Sequence, residues 1–495
     1  MNVQSPGPLP GNATQPGVDQ FDVRAVNKRS TQSLYKKREK IHPKRAKGYF
    51  RRLKWIVMAV TLSIYYLTPW LRWDRGPGAP DQAVLIDFPE RRFYFFFIEI
   101  WPQEVYYLTG LLIMAGIGLF LMTSIAGRVW CGYACPQTIW TDLFLVVERA
   151  VEGDRNARIR LDQAPWSFGK LRKRVTKHAI WLLIAVATGG AWVFYFADAP
   201  SLALQLLHLE APQTAYATIG VLTFTTYLFG GLMREQVRTY MCPWPRIQGA
   251  MLDEESLVVT YHGWRGEPRG KHLKGEGASR LGDCVDCNAC VVVCPMGIDI
   301  RDGQQLECIT CALCIDACNG VMAKLGRAPE LIGYDTLAND RRRAAGLATH
   351  YRLLRPRTIL YAGLWVLMGL LMLYVLATRS DLDISVSHDR SPMFVTLSDG
   401  ALRNGYTVHA LNKQHAPRRL TLSVEGPPGA SLTVIGDQQR DSVLDVPADD
   451  LRSFRVYVRE PAGAIRKPST LFGFVLTDAA TGKSVRYETM FRGPE

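Results

Sequence analysis

The stretch Cys284-Val-Asp-Cys-Asn-Ala-Cys-Val-Val-Val-Cys-Pro295 decides how this chain is organised, because it places four cysteines within eleven residues. Fourteen positions after its last cysteine, Cys308-Ile-Thr-Cys-Ala-Leu-Cys-Ile-Asp-Ala-Cys318 repeats the spacing, with Asn319 next, where proline is commoner. Two such runs are typical of two 4Fe–4S clusters in a bacterial-ferredoxin-like fold. A pair of zinc ribbons is the alternative, but zinc ribbons use two separated cysteine pairs instead.

In this kind of fold, the fourth cysteine of each run binds the cluster of the other run. The spacing therefore predicts one ligand set of Cys284, Cys287, Cys290 and Cys318, and a second of Cys308, Cys311, Cys314 and Cys294. Each cluster carries one electron at a time, so a small domain that holds both is suited to the transfer of single electrons.

The composition of the chain and its long apolar segments predict a protein that is anchored in a membrane. Its 495 residues suggest about three domains; 48% are hydrophobic and 21% charged, which excludes disorder for most of the chain. Nothing in residues 1–20 resembles a cleavable signal. Five segments approach the length that spans a bilayer, with buried soluble helices as the alternative for any one of them; they are residues 53–70, 105–125, 179–196, 215–233 and 358–377.

Lysine and arginine are unevenly distributed among the segments that connect these spans. They are dense before the first span and between the second and third, and absent from residues 197–214. The positive-inside rule therefore predicts that the N-terminus and the cluster domain are cytoplasmic, and that the tail after residue 377 lies on the other side of the membrane. This accounts for the net charge of +14 without a nucleic-acid partner. The aromatic run 93–101 is too short to span and is interpreted as an interfacial wedge.

The tail from about residue 383 to 495 changes character, because short β-rich runs alternate with turn clusters. The runs are residues 393–397, 420–424, 454–458 and 471–476. Strands at this spacing over roughly 100 residues predict an immunoglobulin-like sandwich. It contains no cysteine, so a disulfide and a thiol metal site are excluded there, and a docking module is favoured over a catalyst.

Three further cysteines, Cys131, Cys135 and Cys242, lie just after the second and fourth predicted spans. The predicted topology places all three at the cytoplasmic edge of the membrane. The spacing of the first two would place them on one face if that segment were helical. Three convergent thiolates with Met241 nearby suit a soft monovalent metal such as Cu(I), and a site of this kind favours reduction of Cu(II). Buried cysteines that act as small hydrophobic side chains are the alternative.

No catalytic role is predicted for the remaining carboxylates and histidines near the membrane spans. Asp142 and Glu148, on the amphipathic stretch 138–151, are predicted to lie on a solvated face. His178 and His208 lie near span ends without a pairing that would bind haem. No glycine-rich nucleotide fingerprint follows a predicted strand, so no NAD or flavin site is expected.

Several long motifs give the chain a resemblance to a known family. They are Cys131-Gly-Tyr-Ala-Cys135-Pro-Gln, Glu152-Gly-Asp-Arg-Asn-Ala-Arg158, Arg234-Glu-Gln-Val, Met241-Cys-Pro-Trp-Pro-Arg246 and Asp283-Cys-Val-Asp-Cys-Asn-Ala-Cys290. From about Tyr35 onward the chain resembles the FixG/CcoG/RdxA family of membrane iron–sulfur accessory proteins for cbb3-type cytochrome oxidase. The family pattern often has cysteine where this chain has Arg238, which leaves the coordination number at the membrane cysteines open.

The resemblance implies a bacterial inner-membrane protein with a periplasmic C-terminal domain and a function in oxidase assembly. It also implies that electrons from two 4Fe–4S clusters reduce Cu(II) to Cu(I) at Cys131, Cys135 and Cys242. It implies as partners membrane lipid, oxidase subunits, a copper-exporting ATPase and an unnamed electron donor; a homodimer is left open. A quinol-linked electron-transfer subunit and an assembly scaffold without redox function are the two alternatives.

The predicted fold class is a multi-domain membrane protein. It combines an α-helical bundle of about five spans with a cytoplasmic bacterial-ferredoxin-like domain and a C-terminal immunoglobulin-like sandwich. The predicted boundaries are a basic tail at 1–50, four spans with the cysteine motifs at 51–245, the ferredoxin-like domain at 246–355, the fifth span at 356–380 and the sandwich at 381–495.

Overall fold

The computed structural model describes residues 18–27, 40–76, 79–270, 281–414, 416–426, 429–435, 442–462 and 468–494. The chain divides into two compact units. The first comprises Met1–Asp74 and Pro80–Met372, and the second comprises Arg75–Ala79 and Leu373–Glu495. The predicted domain boundaries stay predictions.

The first unit is mainly helical, and its last helix continues into the second unit. The helices are α1 (Tyr49–Leu67), α2 (Tyr106–Ala126), α3 (Val129–Tyr133), α4 (Pro136–Glu152), α5 (Arg155–Gln163), α6 (Phe168–Val193), α7 (Ala199–His208), α8 (Gln213–Thr226), α9 (Arg234–Gln236), α10 (Trp244–Met251), α11 (Gly263–Gly266), α12 (Ala289–Val293), α13 (Leu313–Lys324), α14 (Leu337–Ala344) and α15 (Pro356–Ala377). Two π-helical segments follow α8 and α9, at Tyr227–Leu232 and Val237–Met241.

Three helices of the described chain are long and apolar enough to cross a membrane, namely Pro102–Ala126, Gln213–Leu232 and Pro356–Ala377. They coincide with three of the five predicted spans. The other two predicted spans fall in α1 and α6, whose first turns carry several lysines and arginines that lower their hydropathy. The bundle of five spans and its orientation stay predictions.

Two small sheets complete the first unit. Strands β1 (Val84–Asp87), β2 (Arg92–Phe95) and β3 (Ile98–Ile100) form an antiparallel sheet. The aromatic run 93–101 therefore folds as a hairpin that turns at Phe96 and Phe97. Strands β4 (Val258–Tyr261) and β5 (Ile332–Asp335) pair antiparallel on either side of the cysteine-rich segment.

The two cysteine runs have the same local backbone. Asp286 and Asn288 in the first run, and Thr310 and Ala312 at the equivalent positions of the second, all have φ between 50° and 60°. Left-handed backbone is uncommon outside glycine and is retained where the surroundings require it. Helices α12 and α13 begin directly after these turns and pack against each other, so the repeat in sequence becomes a repeat in structure.

Helix α4 carries a buried set of charges, and the predicted solvated face for Asp142 and Glu148 is wrong. Their exposed fractions are 5% and 2%. Asp142 accepts two hydrogen bonds from the Arg51 guanidinium, at 2.8 and 2.9 Å, and Glu148 pairs with Arg158 and Arg234. An amphipathic helix has the same sequence pattern whether its polar face contacts water or arginines from other helices. The pattern alone therefore gave the wrong prediction for these two residues.

The second unit forms an antiparallel sandwich from β6 (Leu382–His388), β7 (Val395–Thr396), β8 (Leu402–Asn412), β9 (Arg418–Glu425), β10 (Ser431–Val434), β11 (Val443–Val446), β12 (Asp450–Glu460), β13 (Ser469–Asp478) and β14 (Ser484–Arg492). One sheet has the order β10-β12-β8-β6 with β7 beside β8, and the other has the order β11-β9-β13-β14. Tyr406, Val408, Leu420, Val456 and Phe474 are fully buried between them.

We predict that Asp142→Asn destabilises the first unit by about 3–5 kcal/mol, because it leaves the Arg51 guanidinium buried without its anion. Burial raises the pKa of Asp142, but Lys54 and Arg51 outweigh burial and hold that pKa below its ordinary value. The carboxylate therefore contributes stability above the unfolded pKa of about 3.9, and this contribution is lost as pH falls through the lower folded pKa.

The measurement is thermal unfolding in detergent by circular dichroism, at neutral pH and at acid pH. Glu210→Gln, an exposed carboxylate in the same unit, is the matched control and should leave the unfolding temperature unchanged. Equal unfolding temperatures for Asp142→Asn and the control would contradict the role of the buried pair.

Candidate redox site

Four thiols of the cysteine-rich segment surround one apolar cavity. They belong to Cys284, Cys287, Cys290 and Cys318, and the wall also includes the apolar side chains of Met322, Leu331 and Ile332 and the charged side chain of Arg301. All four cysteines are free. Burial is the main factor that raises the pKa of Cys318, to about 12, so the thiol stays protonated unless a metal displaces the proton.

A second apolar cavity is lined by Cys294, Cys308, Cys311 and Cys314, and by Cys290 from the first set. Burial and then the Cys311 thiol raise the pKa of Cys294 to about 12, while backbone N–H groups of Met296 and Ile298 act in the opposite direction. The ligand assignment stays a prediction, which the grouping of the thiols around two adjoining cavities supports.

Both cavities fit 4Fe–4S clusters in their chemistry. Thiolate sulfur is the usual ligand of such clusters, and apolar walls exclude water from them. In the part of the chain that the structure describes, no three His, Cys, Asp or Glu side chains are arranged around a single metal ion. A cluster of four irons requires thiols that are spread over a larger volume, so this finding concerns mononuclear sites.

The three membrane-edge cysteines come from three different segments. Cys131 lies in α3, Cys135 is the residue before Pro136 at the start of α4, and Cys242 directly follows the π-helix Val237–Met241. Cys131 and Cys135 therefore do not share one helix, because Pro136 begins a new helix and disfavours helical backbone at the residue before it.

Cys131 nevertheless lies near the other two thiols. Burial is the largest cause that raises its pKa, to about 11, and Cys135 and Cys242 raise it further. The Cys131 Sγ also donates to the Oε1 of the buried Gln248 at 3.1 Å. The thiols of Cys131, Cys135 and Cys242 do not converge on a single ion position in the structure.

Cys131 packs into the same apolar group as the second set of cluster cysteines. The group centres on Val293, Met296, Ile309 and Leu313, and Cys131, Cys294, Cys308 and Cys311 all belong to it. The turn next to Cys131 touches the cluster loop directly. The Tyr133 hydroxyl donates to the Cys311 carbonyl at 3.3 Å, and a Cβ on Gly132 would lie 2.6 Å from the Ile309 carbonyl oxygen.

Arg128 connects these segments through the backbone. Its guanidinium donates to the carbonyls of Leu306 and Cys308 in the cluster loop, and to that of Pro245, three residues after Cys242, at 2.7 Å. Arg128, Gly132 and Gln248 are not predicted as functional residues, because their importance depends on contacts with residues more than a hundred positions away. Gly132 lies within one of the quoted motifs, whereas Arg128 and Gln248 lie outside them.

Arg238, where the family pattern often has cysteine, lies between the two groups of thiols. Its guanidinium donates to the Thr138 Oγ1 at 3.1 Å and the Gln137 carbonyl at 3.4 Å, and contacts the Met296 sulfur at 3.8 Å. These acceptors are all uncharged. Burial holds the pKa of Arg238 below its ordinary value, although the thiols of Cys135 and Cys311 and the Asp142 carboxylate act to raise it. The charge of Arg238 therefore faces one membrane-edge cysteine and one cluster cysteine.

Comparison with known proteins first defines the class. Residues 233–337 match the 4Fe–4S dicluster domain, residues 107–151 match a 4Fe–4S binding domain, and residues 372–494 match the IG-like fold at the C-terminal of FixG. The protein is therefore an iron–sulfur protein with a dicluster domain and an immunoglobulin-like domain, as the cysteine spacing and the strand pattern predict.

Full-length relatives then define the family. The chain is 56% identical to the nitrogen fixation protein FixG of Rhizobium meliloti, over 97% of this chain and 98% of the relative. It is 55% identical to protein RdxB of Cereibacter sphaeroides, over 94% and 98%, and 53% identical to protein RdxA of that organism, over 88% and 92%. The chain belongs to the FixG/RdxA family, which confirms the resemblance in the motifs.

We predict that Gly132→Ala destabilises the protein by about 1–3 kcal/mol, because the new methyl group meets backbone atoms of the cluster loop that cannot rotate away. The loop would shift, and iron content should fall with stability. The measurements are thermal unfolding and iron content of anaerobically purified protein. Gly116→Ala, where the methyl group meets nothing within 4 Å, is the control; identical behaviour of the two variants would refute the close contact.

We predict that Arg238→Gln lowers the reduction potential of the cluster held by Cys294, Cys308, Cys311 and Cys314 by tens of millivolts. Loss of a nearby positive charge disfavours the more negative reduced state. The measurement is an EPR-monitored redox titration, with the exposed Arg246→Gln as the control for a charge that water screens. If the reduction potential of this cluster shifts equally in Arg238→Gln and Arg246→Gln, or in neither variant, the position of the Arg238 charge close to the cluster is contradicted.

Proposed function

We propose that this protein reduces Cu(II) to Cu(I) at the cytoplasmic edge of the bacterial inner membrane, in support of cbb3-type oxidase assembly. Each Cu(II) takes up one electron and becomes Cu(I), and the electron comes from a donor of the cell. The two 4Fe–4S clusters, when bound, supply electrons one at a time. Copper is here the substrate, and Cys131, Cys135 and Cys242 are the proposed residues that hold it.

One observation carries this proposal, namely that Cys131 shares an apolar group with cluster cysteines Cys294, Cys308 and Cys311. A thiol that packs directly against the cluster loop offers a short path for an electron. Thiolates stabilise Cu(I) more than Cu(II), so a copper ion bound by these thiols is easier to reduce than a hydrated one.

The surrounding residues support this role by position and charge. Gly132 allows α3 to lie against the loop of Ile309–Cys311, and Gln248 orients the Cys131 thiol. Arg238 provides a positive charge that stabilises a Cys135 thiolate without occupying a metal ligand position. The three thiols approach one another without converging, so we propose that copper binding draws them together.

Location and partners complete the proposal. The three apolar helices and the basic segments between the predicted spans support an inner-membrane protein whose cysteines face the cytoplasm, with the sandwich in the periplasm. Cu(I) would pass to a copper-exporting ATPase or to the assembling oxidase, whose subunits the sandwich would contact. The electron donor has no assigned site in the chain.

The test is anaerobic addition of Cu(II) to dithionite-reduced protein after removal of excess reductant. Cluster absorbance and Cu(I) formation, followed with a Cu(I)-specific chelator, should change together at one Cu(I) per electron. Clusters that stay reduced in the presence of Cu(II), but are reduced by a quinol in membranes, would favour the quinol-linked alternative. Oxidase assembly that is normal in a cluster-ligand variant would favour the scaffold.

We predict that Cys242→Ser lowers the rate of Cu(II) reduction at least tenfold while iron content stays unchanged, because a hydroxyl is a poor ligand for Cu(I). The matched control is Ser256→Ala, a buried residue of the same unit that lies outside the three cysteine segments. Undiminished reduction in Cys242→Ser, or a loss of iron in parallel with activity, would contradict a copper-binding role for this thiol.

A further inference from the structure

A cavity of about 360 Å³ lies away from the cysteines, at the basic end of α6. Among the described residues that line it, four carry a positive charge and none carries a negative one. The lining residues are Lys40, Arg174, Lys177, His178, Trp181, Gly231, Leu232 and Arg234. A cavity with this lining is suited to a ligand that is anionic at one end.

The cations are held in place by carboxylates that do not line the cavity. Glu152 accepts from Arg174 at 2.8 Å and pairs with Lys177 at 3.0 Å. Glu148 pairs with Arg234 at 3.2 Å, and Asp162 pairs with Lys40 at 3.0 Å. Among the described side chains that these ion pairs join, the cations outnumber the carboxylates by one. The cations are Lys40, Arg158, Arg174, Lys177 and Arg234, and the carboxylates are Glu148, Glu152, Asp162 and Glu235.

The opposite side of the cavity is apolar and coincides with the end of a candidate membrane span. Gly231 and Leu232 end the apolar helix Gln213–Leu232, and Trp181 lies on the facing side of α6. Leu182 and Leu183 on α6 are exposed by 50% and 68%, as expected for side chains that face lipid. The Trp181 side chain is itself buried, so it is the lysines and arginines at this end of α6 that mark the level of the lipid headgroups.

We propose that this cavity binds the phosphate of an anionic phospholipid, with Arg174 and Lys40 as its donors at the cavity mouth and the acyl chains along α6 and the helix Gln213–Leu232. Guanidinium and ammonium groups are the usual ligands of phosphate, and basic sites between membrane helices on the cytoplasmic side bind anionic headgroups. The inference rests on the proposed membrane location and does not depend on copper reduction.

The test uses full-length protein in detergent, incubated with phosphatidylglycerol or with phosphatidylcholine of the same acyl chains, and native mass spectrometry to count retained lipid. The double variant Lys40→Gln/Arg174→Gln should retain phosphatidylglycerol about tenfold less than the wild type. The control double variant Arg172→Gln/Lys173→Gln removes the same amount of charge from exposed positions of α6. It should retain as much phosphatidylglycerol as the wild type. Equal loss in the two double variants would overturn the site.

A second variant keeps the charges and fills the space. Leu232→Trp should also displace phosphatidylglycerol, and unchanged iron content would show that the protein is folded. Retention of phosphatidylcholine equal to that of phosphatidylglycerol would overturn recognition of an anion. Displacement of the lipid by millimolar inorganic phosphate would overturn the lipid as the ligand in favour of free phosphate. Wild-type protein that reduces Cu(II) normally but retains no phosphatidylglycerol would refute the lipid site and leave the proposed copper reduction intact.

Discussion

The contact between Gly132 and the backbone of Ile309 is the constraint on which the rest of the site depends. At this point a short helix from the membrane-edge region meets the loop that carries Cys308 and Cys311, with no side chain between them. Any residue larger than glycine would separate the two segments. Because Cys131 and Tyr133 flank Gly132, the same contact places one thiol in the apolar group of the cluster cysteines and one hydroxyl on the Cys311 carbonyl.

Buried charged groups also fix how the neighbouring helices meet. The Asp316 carboxylate on α13 accepts the backbone N–H groups of Phe50 and Arg51 at the start of α1, while Arg51 also binds Asp142 on α4. A buried ion pair gains little over apolar packing, but its loss is costly because one partner stays desolvated. These pairs therefore specify how α1, α4 and α13 meet more than they add to the free energy of folding.

Two arginines show how charge is distributed near the thiols. Arg301 lines the first cavity and binds Asp299, Asp286 and Asn288, so carboxylates already balance its charge. Arg238 near the second set has only uncharged acceptors among its hydrogen bonds. The two sets of cluster thiols therefore experience different fields although their sequences repeat, and spacing alone does not reveal this difference.

Much of the architecture follows from local patterns in the sequence. The spacing of eight cysteines determines the dicluster domain, because a tight loop with three thiols has few other uses, and alternation with turn clusters determines the sandwich. The same patterns misplace Asp142 and Glu148, and they leave the relation between Cys131 and Cys135 open until Pro136 is seen to begin a new helix. A local pattern shows how apolar and polar residues alternate along a segment, but it does not show which other segment packs against it.

The order of the amino acids alone shows which thiols this protein offers, which segments are apolar and which family it belongs to. The folded chain was needed to show that Cys131 lies against the loop of the second ligand set, that Arg238 faces thiols from both groups, and that four cations line one cavity. These relations join segments that are far apart in the sequence, such as those of Cys131 and Ile309 or of Arg238 and Cys311. Their proximity depends on close packing at Gly132 and on buried ion pairs, neither of which leaves a periodic signal along the chain.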